Sequence, residues 1–127
     1  MTTERSPLAS IETSFTRLGV VLSPDGSPSE VEGVLNPASA RTRDGALLLY
    51  PRCVAQGNTS RVGLVEASGS GDQVTFTRHG FALEPSAPYE LRTQGGGYGC
   101  EDPRVTFIPV LDLYVMAYTA YGPDGPR

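Results

Sequence analysis

The chain has 127 residues, a formal net charge of −4 and an apolar fraction of 39%. Its ten basic residues are all arginines and are scattered singly, which opposes binding to the phosphate backbone of a nucleic acid because that requires clustered positive charge. No apolar run approaches the ~18 residues of a membrane span, and the N-terminus has no secretory signal layout. The sequence therefore predicts a cytoplasmic protein with neither a nucleic-acid nor a membrane partner.

Composition favours an all-β fold. Fifteen glycines, eleven prolines and no tryptophan, without sustained helical spacing, are typical of short strands joined by tight turns. Residues 1–17 are polar and are predicted to form an N-terminal arm, so the β domain is expected over residues 18–127. One histidine, His79, and two distant cysteines, Cys53 and Cys100, predict neither a metal site nor a disulfide framework.

In chain order, the first predicted strand is the apolar run at residues 18–22, which a proline- and glycine-rich turn follows. Pro51 lies within a later apolar run, where a residue without an N–H indicates an edge strand or a bulge. The further predicted strands cover residues 46–52, 61–66, 74–78, 105–108 and 113–119.

An internal repeat is the strongest organisational signal. Asn36-Pro37 precedes the apolar run 47–49 by the same interval at which Asp102-Pro103 precedes the run 113–115. The two registers are 66 residues apart, from position 36 to position 102. A proline motif, a strand, a turn and a second strand at one fixed offset predict a repeated sheet unit of the kind that forms a β-propeller blade.

The same offset aligns Arg61 with Arg127. On this count the chain is expected to hold one complete unit, residues 36–101, and only the beginning of the next, residues 102–127. Closed propellers need about four to eight blades. We therefore expect this chain to form the N-terminal part of a propeller, to be inactive alone and to associate through unpaired strand edges, hence a possible homo-oligomer.

The best candidate for chemistry is the run Glu101-Asp102-Pro103-Arg104. Proline restricts the residue before it to extended conformations, so Asp102 is expected at a strand entrance. Alternate side chains of a strand share a face, which predicts that Asp102 and Arg104 point one way and Glu101 the other. A general acid requires desolvation to outweigh a neighbouring arginine. The alternative is an Asp–Arg pair that anchors a loop.

Five motifs occur in an order that resembles the N-terminal part of glycoside hydrolase family 130, the β-mannoside phosphorylases and β-mannosidases. The resemblance extends from about Asn36 to Tyr121 and implies a five-bladed β-propeller. The motifs are Asn36-Pro37-Ala38, Leu48-Leu49-Tyr50-x-Arg52, Ser60-Arg61-Val62-Gly63-Leu64, Gly99-x-Glu101-Asp102-Pro103-Arg104-Val105-Thr106 and Tyr114-x-Met116-x-Tyr118-Thr119.

The resemblance implies inverting cleavage of a β-mannosidic bond, with Asp102 as the proton donor and phosphate or water as the nucleophile. The partner would be a β-mannoside or mannosyl sugar, with inorganic phosphate as co-substrate in a phosphorylase and no other cofactor. The residues that the resemblance places near the substrate are Asn36, Arg52, Arg61, Glu101 and Arg104.

Two alternatives stay open. The first is a non-catalytic carbohydrate-binding or assembly module with a propeller fold. The second is a five-bladed glycosidase of another family, which requires an early aspartate, and only Asp25 and Asp44 lie early in the chain.

Overall fold

The computed structural model describes residues 14–70 and 73–127. These residues form strands and one short 3₁₀ helix, with no α-helix among them, so the all-β prediction is confirmed. No helix within the described ranges has the length and apolar character to cross a membrane. The strands are β1 (Gly33–Arg41), β2 (Leu47–Ala55), β3 (Thr59–Ser68), β4 (Thr75–Leu83), β5 (Tyr98–Ile108), β6 (Leu113–Gly122) and β7 (Gly125–Pro126), and the 3₁₀ helix is Pro88–Glu90.

Two antiparallel units make up the sheet. Strands β1 to β4 pair in chain order as a four-stranded meander, and β5 to β7 pair in chain order as a three-stranded one. The units join through a short parallel contact in which Thr59 pairs with Tyr98 and Ser60 with Gly99. This join brings the beginning of β5 beside the beginning of β3.

Both units contain the same β-bulge. In β1, Asn36-Pro37 lies opposite Pro51 of β2, and in β5, Asp102-Pro103 lies opposite Tyr118 of β6. In each case two residues face one, which is the definition of a bulge. Asn36 and Asp102 have nearly the same left-handed backbone, with φ of 44° and 47°. The sequence offset of 66 residues therefore corresponds to a repeated backbone feature.

The alignment of Arg61 with Arg127 is also reproduced in the pairing. Arg61 pairs with Cys53, which lies two residues after Pro51. In the same way, Arg127 exchanges two backbone hydrogen bonds of 2.9 and 2.8 Å with Ala120, which lies two residues after Tyr118. Pro51 lies in an internal strand, opposite the bulge of β1. Its missing N–H therefore falls where the ladder is already interrupted.

The first predicted strand is wrong. Residues 18–22 form no strand, and the side chains of Leu18 and Val20 are 68% and 84% exposed. Gly19 has a left-handed φ of 86°, which interrupts the extended run. Strand β1 was not among the predicted strands, because its Asn-Pro pair is typical of a turn. Of the predicted arm, residues 1–13 lie outside the described residues and residues 14–17 have no regular structure.

The buried apolar residues are small and line the strands next to the join, among them Cys53, Val62 and Cys100. Two buried carboxylates complete this interior. Glu30 receives hydrogen bonds of 2.9 and 2.8 Å from the guanidinium of Arg78, which ties the segment before β1 to β4. Glu90 accepts the N–H groups of residues 86 and 87 and the hydroxyl of a tyrosine in β6. Each buried carboxylate is thus satisfied, as burial requires.

Candidate functional site

Arg52 is the centre of a polar cluster at the join between the two units. Its Nε donates to Ser60 Oγ at 2.9 Å, and its Nη2 donates to Glu101 Oε1 at 2.9 Å and to Asn58 Oδ1 at 3.2 Å. Its Nη1 lies 3.4 Å from Asp102 Oδ1. The side chains of Arg52 and Glu101 are only 13% and 14% exposed. One guanidinium therefore holds two carboxylates in fixed positions, which its planar fork allows.

Two glycines permit this arrangement by letting β5 approach β3. A Cβ atom on Gly99, whose φ is 119°, would lie 2.1 Å from the carbonyl oxygen of Ser60. A Cβ atom on Gly97 would lie 2.2 Å from Asn58 Nδ2. Glycine is thus required at Gly99 by space and by backbone conformation, whereas at Gly97 the nearest atom belongs to the Asn58 side chain, which can move. This close approach places Glu101 within reach of Arg52.

Asp102 departs from the predicted geometry. Its φ of 47° is left-handed rather than extended, because the bulge takes up the extra residue at this point. As a result Glu101 and Asp102 both contact Arg52, whereas strand alternation predicted opposite directions. Asp102 Oδ1 also accepts a hydrogen bond of 2.8 Å from Nδ2 of Asn36. The two bulges of the repeat therefore meet through these side chains.

Four of the six predicted site residues lie together: Asn36, Arg52, Glu101 and Asp102. The other two have different surroundings. Arg104 is next to Asp102 but donates to the carbonyl oxygens of residues 102 and 103, at 3.3 and 2.7 Å.

Arg61 faces away from the cluster. Its Nε donates to Glu84 Oε1 at 3.1 Å, and its guanidinium carbon lies 5.8 Å from the ring centroid of Phe81. The early aspartates that a glycosidase of another family requires, Asp25 and Asp44, are both exposed, and Asp25 pairs with Arg78 at 3.6 Å. Neither Arg61 nor Asp25 therefore contributes a contact to the Arg52 cluster.

The electrostatics of the cluster favour the ionised form of Asp102. The hydrogen bond from Asn36 is the largest influence and lowers the pKa of Asp102 below its ordinary value. Partial burial acts in the opposite direction, but the hydrogen bond and charge of Arg52 and the charge of Arg104 lower the pKa further. At neutral pH this residue is therefore a carboxylate in the described chain.

Asn58 and Ser60 belong to the cluster but were not predicted as site residues. Gly57 and Asn58 form the turn between β2 and β3, with φ of 77° and 57°. Glu32 accepts the N–H groups of both turn residues, at 2.8 and 2.9 Å. The run Gly57-Asn58-Thr59-Ser60 is the signal that could have identified them, since a turn that leads into a strand aims an amide and a hydroxyl back along β2.

Of the two carboxylates in the cluster, Asp102 is the more exposed, with 38% of its side chain accessible against 14% for Glu101. In residues 14–70 and 73–127, no group of three His, Cys, Asp or Glu side chains could hold a metal ion. Comparisons of the chain with protein-family models, with curated proteins and with solved structures found no match.

Proposed function

We propose that this chain forms part of a β-mannoside-processing enzyme of the glycoside hydrolase family 130 type, with the Arg52 cluster as its sugar-binding surface. One observation carries the proposal. Four of the six residues that the resemblance assigns to the site come from three different strands and are joined by hydrogen bonds: Asn36, Arg52, Glu101 and Asp102. A resemblance by chance would not require residues 66 positions apart to meet.

The proposed architecture is a β-propeller, in which β1 to β4 form one blade and β5 begins the next. The in-order antiparallel pairing of four strands supports this, since a propeller blade is a four-stranded meander. Strands β1 and β5, which carry the matching bulges, would then be the innermost strands of adjacent blades. Five blades, as in that family, stay a prediction.

In the proposed reaction, Asp102 donates the proton that the leaving oxygen requires, and phosphate or water attacks the anomeric carbon from the opposite face. Glu101 and Arg52 fix the position of Asp102 and offer groups to the sugar hydroxyls. A bound sugar would exclude water from Asp102, and a phosphate dianion nearby would disfavour a second negative charge. Both effects raise the pKa of a carboxyl group toward the range of a general acid.

The test uses the intact protein that carries these residues, incubated with a β-1,4-linked mannobiose, with and without inorganic phosphate. We expect release of mannose 1-phosphate or of mannose, and loss of turnover by at least ~10²-fold in Asp102→Asn, the scale of general acid catalysis. Asp124→Asn, an exposed carboxylate in the turn before β7, is the matched control. Unchanged turnover in Asp102→Asn would exclude Asp102 as the acid.

The lowered pKa of Asp102 favours a second candidate, a carbohydrate-binding module without catalysis. An ionised carboxylate is a strong acceptor for sugar hydroxyls but has no proton to donate. This candidate predicts mannoside binding by calorimetry without any turnover, and weaker binding in Asp102→Asn. Retained binding with lost turnover favours the enzyme instead.

A further inference from the structure

The carboxylate of Asp102 is held asymmetrically. Both hydrogen bonds that it receives from other strands end on Oδ1, at 2.8 Å from Asn36 Nδ2 and at 3.4 Å from Arg52 Nη1. Among residues 14–70 and 73–127, Oδ2 has no hydrogen-bond partner, and the side chain is 38% exposed. One oxygen therefore fixes the carboxylate to the sheet, while the other faces solvent.

Asn36 is suited to this anchoring role by its backbone. Its φ of 44° in the bulge of β1 directs a short side chain toward the equivalent bulge of β5. Asparagine adopts this left-handed conformation more readily than most residues, and its amide donates where an aspartate could only accept. The contact joins the two copies of the repeat.

We propose that Asn36 is a positioning residue that holds Asp102 through Oδ1, so that Oδ2 is the oxygen that meets a ligand hydroxyl. A second part of the inference rests on the proposed function: in that reaction, Oδ2 also carries the proton that Asp102 donates. In that step the O–H bond on Oδ2 breaks, the proton passes to the ligand oxygen, and the carboxyl group becomes a carboxylate. Asn36 stays bound to Oδ1 before and after.

The charged and titratable groups around Asp102 make Asn36 the informative position to change. Around Asp102, strand β1 contributes only the neutral amide of Asn36. The other strands contribute charged side chains and one tyrosine hydroxyl, which is already bound to Glu90. Those neighbours are Arg52 on β2, Glu101 and Arg104 on β5 itself, and Tyr118 opposite the bulge on β6. Asn36→Asp replaces the donor by a second carboxyl group without changing side-chain size, so that the two groups must share a proton.

The experiment is a ¹³C NMR titration of the Asp102 carboxyl group in the 127-residue chain. We expect Asn36→Asp to raise its apparent pKa by more than about one unit, as for carboxyl pairs that share a site. Asn58→Asp is the matched control, because it adds the same charge to the same cluster but contacts Arg52 rather than Asp102. It should produce a clearly smaller shift.

Equal shifts in the two variants, or no shift in Asn36→Asp, would overturn the anchoring role. If Asn36→Asp does not fold, Asn36→Gly is a second variant, because glycine also adopts a left-handed backbone. This variant should raise the pKa of Asp102 toward the ordinary aspartate value. An unchanged pKa would refute the proposal. Mannobiose added to the intact protein that carries these residues should move the Asp102 carboxyl resonance. If it does not, the proposed function fails at this site while the titration still decides the anchor.

Discussion

Gly99→Ala, at the beginning of β5, should destabilise the chain more than an alanine substitution at any glycine of the preceding loop. The added Cβ would lie 2.1 Å from Ser60 O, so the backbone of β3 or β5 must move by about 1 Å to reach a tolerable contact. A left-handed backbone costs a non-glycine residue about 1–3 kcal/mol, and overpacking of this kind costs about 1–3 kcal/mol more. We therefore expect a loss of about 2–6 kcal/mol.

Urea unfolding of the 127-residue chain measures this loss, with Gly95→Ala as the matched control. Nothing lies within 4 Å of a Cβ on Gly95, and its φ is not left-handed, so that variant should stay within about 0.5 kcal/mol of the unmodified chain. The shift in Gly99→Ala should also separate Glu101 from Arg52 and move the Asp102 carboxyl resonance. Equal stability of the two variants would refute the close approach of β3 and β5.

Three other predictions concern the charged and buried groups. Because folding lowers the pKa values of Asp102 and Glu90, both carboxylates stabilise the fold at pH values above their ordinary pKa values of 3.8 and 4.5. The free energy of unfolding, measured by urea unfolding at a series of pH values, should therefore fall as the pH drops through the pKa values of the folded state. Burial raises the pKa values of Cys53 and Cys100 to about 12, so a thiol reagent at pH 8 should react only at the unfolding rate. Arg52→Lys should cost about 1–3 kcal/mol, measured by urea unfolding, because an ammonium group cannot replace the fork that holds both carboxylates.

Composition and apolar runs were sufficient to predict the class of the fold and five of its strands, although the observed strands are longer. These patterns gave wrong predictions where the same local sequence is compatible with both a strand and a turn or irregular segment. The run at residues 18–22 has strand composition, but among the described residues it has no strand to pair with. Asn36-Pro37 resembles a turn, and it lies inside β1 because a bulge accommodates both the proline and the left-handed asparagine.

The sequence predicted which residues meet in the Arg52 cluster better than it predicted their geometry. The motif residues Asn36, Arg52, Glu101 and Asp102 meet, but strand alternation gave the wrong direction for Asp102 because alternation does not hold across a bulge. Arg61 follows a motif serine and lies on the opposite face of β3 from the cluster, since neighbouring residues of a strand face opposite ways. Asn58 and Ser60 were missed because this turn residue and this strand residue contact Arg52 only once β2 and β3 are paired.

The repeat also explains why position 36 is an asparagine where position 102 is an aspartate. The fold repeats the bulge as well as the strands, so both residues direct their side chains to one point between β1 and β5. Two carboxylates at 2.8 Å could not both ionise at neutral pH, and the repulsion would separate the units that Arg52 joins. An amide of the same size removes that repulsion and adds a donor. The difference between Asn36 and Asp102 thus lets one repeat carry the acidic group while the other holds it in place.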